Sequence, residues 1–154
     1  MQIRVDDLTH PAVVALVRFH RRDALARTPS VGSAHALGVE ALRRPEITLW
    51  TAWDGDDVVG CAALHELDAG HGEVKSMRTA PAFLRRGVAA ALLARLLDEA
   101  EARGYARVSL ETGAGDGFVA ARALYRRFGF VDCGPFADYP NDPQSVWMTL
   151  ALPR

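Results

Sequence analysis

The chain lacks most of the features that place a protein in a special class. It has two cysteines in 154 residues, Cys61 and Cys133, far apart and in no C-x-x-C pair. That excludes a disulfide framework and a cysteine-rich metal site. Two packed thiols in a cytosolic protein are expected, with one isolated bridge as the alternative. The five histidines, His10, His20, His35, His65 and His71, have no metal-ligand spacing, so no metal is expected. No serine sits in a nucleophile elbow. Neither sign of charge is in excess: 18 basic against 19 acidic residues leave a net charge of −1. This argues against nucleic-acid or membrane partners, although a local basic cluster can still hold one anion. Residues 1–7 contain no apolar run of the kind found in secretion signals, and no stretch approaches membrane-spanning length. The expected location is therefore cytoplasmic.

What is present is an ordinary globular composition, 49% hydrophobic and 24% charged, which argues against a disordered chain. The length suits one domain spanning residues 1–154, able to bury roughly 70% of its unfolded surface without a staple. There is no repeat, low-complexity tract or linker.

Local patterns give an order of elements. Gln2-Ile3-Arg4-Val5 reads as a short strand. Pro11 opens a helix with Val13, Leu16 and Val17 on its apolar face. Residues 28–33 form a loop by composition, and a short helix is expected from about His35 to Arg43. Ile47 to Trp53 and Val58 to Leu67 flank Asp54-Gly55-Asp56-Asp57 as a hairpin. Gly70-His71-Gly72 turns into a strand from Glu73 to Thr79. A helix follows from Arg86 to Arg103, with Val88, Leu92 and Leu96 on one stripe and Gly104 at its C-cap. Arg107 to Glu111 is a strand and Phe118 to Phe128 a helix. Phe130 to Cys133 and Ser145 to Leu150 complete the set. The order β-α-α-β-β-β-α-β-α-β-β predicts an α/β fold with a partly antiparallel sheet.

The most informative stretch is Thr79-Ala80-Pro81-Ala82-Phe83-Leu84-Arg85-Arg86-Gly87-Val88-Ala89, between a strand and a long helix. Small residues at Gly87 and Ala89 let a phosphate approach the backbone, where free N–H groups and the helix dipole favour an anion. Two arginines there oppose the dipole by roughly a few tenths of a kcal/mol each. A bound phosphate reverses that cost. A solvated arginine pair at an ordinary helix start is the alternative.

The run Glu73-Val74-Lys75-Ser76-Met77-Arg78-Thr79-Ala80-Pro81 followed by Arg86-Gly87-Val88-Ala89 resembles the acetyl-CoA motif of the GNAT superfamily of N-acetyltransferases. That loop is written [RQ]-x-x-G-x-[GA]; Gly87 and Ala89 match it, and Leu84 departs from it. Leu124-Tyr125-Arg126-Arg127-Phe128-Gly129-Phe130 is similar to the family's helix-to-strand signature. Phe118 stands where the family often has asparagine. The strings Ser33-Ala34-His35-Ala36-Leu37, Leu110-Glu111-Thr112-Gly113 and Gly134-Pro135-Phe136-Ala137-Asp138-Tyr139 resemble a bacterial subgroup often labelled indole-acetate acetyltransferases. That label is not adopted, because indole acetate offers a carboxylate rather than an amine.

The resemblance implies the GNAT fold, a mixed, mostly antiparallel twisted sheet of six or seven strands flanked by about four helices. It implies acetyl-CoA as co-substrate, contacted by Met77, Arg78, Thr79, Tyr125 and the loop Leu84, Arg85, Arg86, Gly87, Val88 and Ala89. The acceptor would be a small-molecule or peptide amine, chosen by the regions of Ser33, His35 and Tyr139. Homodimers are common in the family.

Acyl transfer to an amine needs a base, a polarised carbonyl and a proton for the leaving thiolate. An amine with a lysine-like pKa of ~10.4 is mostly protonated at neutral pH. Glu73 is the first candidate base; strict alternation puts it on one strand face with Met77 and Thr79. Glu111 is the competing base, on the opposite face of its strand from Val108 and Leu110. Tyr125, a phenol of ordinary pKa ~10, is the expected acid. A backbone N–H near Met77 would polarise the carbonyl. Two further readings stand beside catalysis, a non-catalytic acyl-CoA sensor and a nucleotide-binding domain. Gly113-Ala114-Gly115-Asp116-Gly117-Phe118 lacks the third glycine of a dinucleotide loop and reads as a loop.

Overall fold

Side chains that alternate between two apolar layers build a single seven-stranded sheet in a computed structural model, which describes residues 1–28 and 35–154. The strands are β1 (Gln2–Asp6), β2 (Ile47–Asp54), β3 (Asp57–Asp68), β4 (His71–Thr79), β5 (Arg107–Gly113), β6 (Val131–Cys133) and β7 (Ser145–Ala151). They lie in the order β1-β2-β3-β4-β5-β7-β6. All neighbours are antiparallel except β4 and β5. That pair is joined by a helical crossover, as parallel strands require.

Among the described residues four α-helices cover the sheet: α1 (Pro11–Arg27), α2 (Val39–Leu42), α3 (Val88–Ala102) and α4 (Val119–Arg127). One core, under α3 and α4, gathers Trp50, Leu64, Val74, Leu92, Leu96, Leu110, Tyr125 and Met148. The other, under α1 and α2, gathers Val13, Leu16, Val17, Leu42, Leu49, Trp53 and Ala63. Pro11 opens α1 as predicted, and the His10 ring accepts from the Ala12 N–H at 3.1 Å. Cys61 and Cys133 are both free thiols. No helix among the described residues is long and apolar enough to cross a membrane.

Several boundaries differ from the sequence expectation. The second helix is four residues long and starts after Gly38, so His35 is not on it. The third begins at Val88 rather than Arg86, because Gly87 takes the left-handed N-cap conformation. His71 and Gly72 belong to β4, and the turn before them is Ala69-Gly70. Phe118 ends a short 3-10 turn instead of opening α4, and Phe130 precedes β6.

Candidate active site

The site begins where β4 and β5 part. They pair from His71–Arg107 to Val74–Leu110 and no further. Beyond that last pair β5 continues beside β7 while β4 stays with β3. Two neighbouring strands thus lose their mutual hydrogen bonds and open a fork.

A bulge shapes the β4 arm. Lys75 lies opposite Ala63 and Arg78 opposite Cys61, so Ser76 and Met77 together face a single residue of β3. Ser76 has a φ of 53°, and the Cys61 thiol donates to its carbonyl at 3.4 Å. One extra residue reverses the alternation beyond it. The expectation that Glu73 shares a face with Met77 and Thr79 is therefore wrong. Met77 packs on the α3–α4 core. Thr79 pairs with Gly60, whose missing side chain would strike Val88 of α3. Arg78 instead joins Glu73 and Lys75 on the α1 face, where it binds Asp23 at 2.8 Å and the His20 ring at 2.8 Å. Burial pushes the His20 imidazole down to about 4, with Arg78 adding to the effect, so it is neutral and accepts the Arg78 N–H.

The same face carries a buried polar cluster. Glu73 is 2% exposed. Its Oε2 accepts from the Tyr139 hydroxyl at 2.5 Å and from Lys75 Nζ at 3.2 Å, and Oε1 lies 3.7 Å from His65 Nδ1. Lys75 also donates to the Tyr139 oxygen at 2.7 Å. Burial and the neighbouring Glu73 push the Tyr139 phenol well up, so it stays protonated as the donor. His35 meets the Tyr139 ring edge-on at 5.0 Å between centroids. Its Nε2 is buried without a partner among the described residues. Ser33, also expected near the acceptor, lies outside the described residues.

Glu111 stands on the β5 arm, directly past the last β4–β5 pair. As predicted, it points away from Val108 and Leu110, which enter the α3–α4 core. Its Oε2 accepts from Ser145 Oγ at 2.8 Å. Burial raises its carboxyl above the ordinary carboxylate range, against the opposing pull of Ser145, His35 and Lys75.

Tyr125 approaches from the other layer. Its ring packs in the α3–α4 core, 5.9 Å from Phe130. Its hydroxyl takes no hydrogen bond among the described residues, yet it feels the charges of Glu111 and Arg78 across the sheet. Burial and Glu111 raise the phenol, so it holds its proton at neutral pH.

The basic loop lies at the start of α3. Pro81–Phe83 form a 3-10 turn, Leu84 is 59% exposed, and Arg86 rests its guanidinium 5.2 Å from the centre of the Phe83 ring. Arg85 and Gly87 take φ values of 63° and 80°. No side chain caps the helix, and a Cβ at Gly87 would meet nothing within 4 Å. The first N–H groups of a 15-residue helix, at Val88 and Ala89, thus receive no side-chain cap. Uncapped donors, an aligned dipole and two arginines fit a pyrophosphate. Among the described residues, no group of three or more His, Cys, Asp or Glu is placed to hold a metal ion.

Sequence reasoning missed three partners. Lys75 had a signal, its same-face spacing from Glu73. Ser145 had none before the register of β5 and β7 was known. Phe118 lays its ring on the backbone of Gly113, where a Cβ would come within 2.2 Å of it.

Comparisons with known proteins agree with this architecture. The model of the Acetyltransferase (GNAT) family matches residues 13–130. The chain is 55% identical to the uncharacterized N-acetyltransferase YsnE of Bacillus subtilis (strain 168) over 152 residues, covering 99% of this chain and 100% of that one. It is 41% identical to an IAA acetyltransferase of Azospirillum brasilense over 122 residues, 78% of each chain. An aminoglycoside 6'-N-acetyltransferase complexed with coenzyme A shares the fold at a TM-score of 0.73 and 19% identity, covering 100% of this chain and 99% of that one. With the family model spanning most of its length and a relative more than half identical, the chain belongs to the GNAT family of acetyltransferases.

Proposed function

We propose that the protein moves an acetyl group from acetyl-CoA to the amine of a small molecule or peptide, by direct transfer in a ternary complex. One observation carries this reading. At the fork, a protonated phenol without a hydrogen-bond partner among the described residues (Tyr125) comes within electrostatic reach of a half-buried carboxylate (Glu111) from the opposite face of the sheet. Direct transfer needs such an acid and base on either side of one reacting carbon.

When bound, acetyl-CoA supplies the activated thioester. Arg85, Arg86 and the N–H groups of Gly87, Val88 and Ala89 would hold its pyrophosphate. Met77, Arg78 and Thr79 would line its pantetheine arm with backbone, since the Arg78 side chain is engaged with Asp23 and His20. A backbone N–H near Met77 would polarise the carbonyl. Tyr125 protonates the departing sulfur, and the base comes from the pair Glu73 and Glu111. His35 and Tyr139 border the acceptor side, which agrees with their ring contact above this face.

The test is coenzyme A release from acetyl-CoA against a panel of amines, including peptide N-termini. Amine-dependent release supports the reading. Tight binding of acetyl-CoA with no turnover on any amine would instead make the protein a sensor.

A further inference from the structure

Resting on that reading, we infer that Glu111, not Glu73, takes the proton from the acceptor amine. In the same inference, Glu73 is a positioning residue that fixes Tyr139 and Lys75 beside the fork. The two carboxylates share a face of the sheet but not a place along it. Glu73 pairs with Ser109, one step inside the last β4–β5 pair, while Glu111 is one step beyond it. Their hydrogen bonding differs in the same sense. Glu73 Oε2 already receives Tyr139 and Lys75, and His65 faces Oε1. A proton arriving at Glu73 would break a short bond inside a nearly sealed cluster. Glu111 receives only Ser145, on Oε2, and its Oε1 takes no hydrogen bond among the described residues. Glu111 also acts electrostatically on the Tyr125 hydroxyl, the group proposed to protonate the sulfur.

The proton account closes on these groups. The acceptor ammonium gives one proton to Glu111, and the freed nitrogen lone pair forms a bond to the thioester carbonyl carbon. The C–S bond breaks with its electron pair leaving on sulfur, which takes the Tyr125 proton. The second proton shed by nitrogen restores Tyr125, and Glu111 releases its own to solvent. Amide, free thiol and one proton result, with no oxidant or metal needed.

The groups facing Glu111 are Glu73 and Lys75 from β4, His35 ahead of α2, Tyr125 from α4, Tyr139 from the β6–β7 connection and Ser145 from β7. Its raised carboxyl means the base is lost by protonation as pH falls through a value above the ordinary carboxylate range. The test compares Glu111→Gln, Glu111→Asp and Glu73→Gln in coenzyme A release across pH, with melting curves and acetyl-CoA calorimetry on each. Glu111→Gln keeps an acceptor for Ser145; it should bind acetyl-CoA normally, lose about 100-fold or more in kcat/KM and lose the acidic limb. Glu111→Asp should restore that limb with reduced rate. Glu73→Gln should keep the limb while raising the acceptor KM and lowering the melting temperature. Loss of the limb in Glu73→Gln with its retention in Glu111→Gln would overturn the assignment. A wild type inert toward every amine would refute acyl transfer itself.

Discussion

The Tyr139 hydroxyl donates to the buried Glu73 carboxylate at 2.5 Å while accepting from Lys75 at 2.7 Å. The connection between β6 and β7 is thereby tied to β4 by a charge-assisted bond in a low-dielectric setting. Hydrogen bonds to charged groups contribute about 1.5–3 kcal/mol. Tyr139→Phe keeps the ring against His35 and Phe136 but removes that donor. It should lower unfolding free energy by about 2 kcal/mol in urea titrations and leave acetyl-CoA affinity unchanged. Unaltered stability would show that the contact is not formed in solution.

Gly87 offers a separate handle on the cofactor. Its φ of 80° favours glycine, but no atom stands within 4 Å of a Cβ built there. Gly87→Ala should therefore cost only about 1 kcal/mol of stability, a strain term without a clash. Gly87→Glu adds a negative charge at the uncapped start of α3 and should abolish acetyl-CoA binding. Calorimetry on the two variants separates strain from repulsion; equal affinities would remove the loop as the pyrophosphate cradle.

The sheet was legible in the sequence because runs rich in β-branched and aromatic residues are bounded by turn residues, and Gly55, Gly87, Gly104 and Gly129 mark turns and caps with positive φ. The bulge at Ser76 was not. Nothing in Lys75-Ser76-Met77-Arg78 signals an inserted residue, since the cause lies in pairing with β3. That single residue reverses the face expected for Met77 and Thr79. For the candidate site, Glu111 was proposed from its strand position and Tyr125 from the family resemblance. The Glu73–Tyr139 bond joins residues far apart in the chain, a relationship that local periodicity cannot carry.

The network joining α1 to β4 predicts a pH response of folding. His20 is depressed to about 4 in the folded protein and is near 6.5 when unfolded. Arg78 from β4 and Asp23 from its own helix face it. Between those two values the unfolded chain binds the extra proton, so stability is full above about 6.5 and declines as pH falls towards 4. The loss should reach at most about 3 kcal/mol. His20→Asn, which keeps an acceptor for the Arg78 N–H, should flatten that part of the melting-temperature profile. An unchanged slope would assign the acid sensitivity to other groups.

Tyr125 gives the sharpest test of chemistry against packing. Its ring fills the α3–α4 core against Phe130, while its hydroxyl binds nothing among the described residues. Removing the oxygen therefore breaks no internal hydrogen bond, and Tyr125→Phe should change stability by no more than about 1 kcal/mol. The same oxygen lies in the field of Glu111, with the phenol raised by burial and so protonated well into alkaline solution. If it supplies the proton to the departing thiolate, single-turnover acetyl transfer should slow by about 100-fold or more. Acetyl-CoA affinity should stay within about twofold, because the cradle at α3 is untouched; that margin is about 0.4 kcal/mol. Thiols with lower pKa need less help in leaving, so an activated acetyl thioester should restore much of the lost rate. Full activity of Tyr125→Phe with acetyl-CoA would exclude the phenol as the acid. A large fall in melting temperature would show that the hydroxyl serves the core instead.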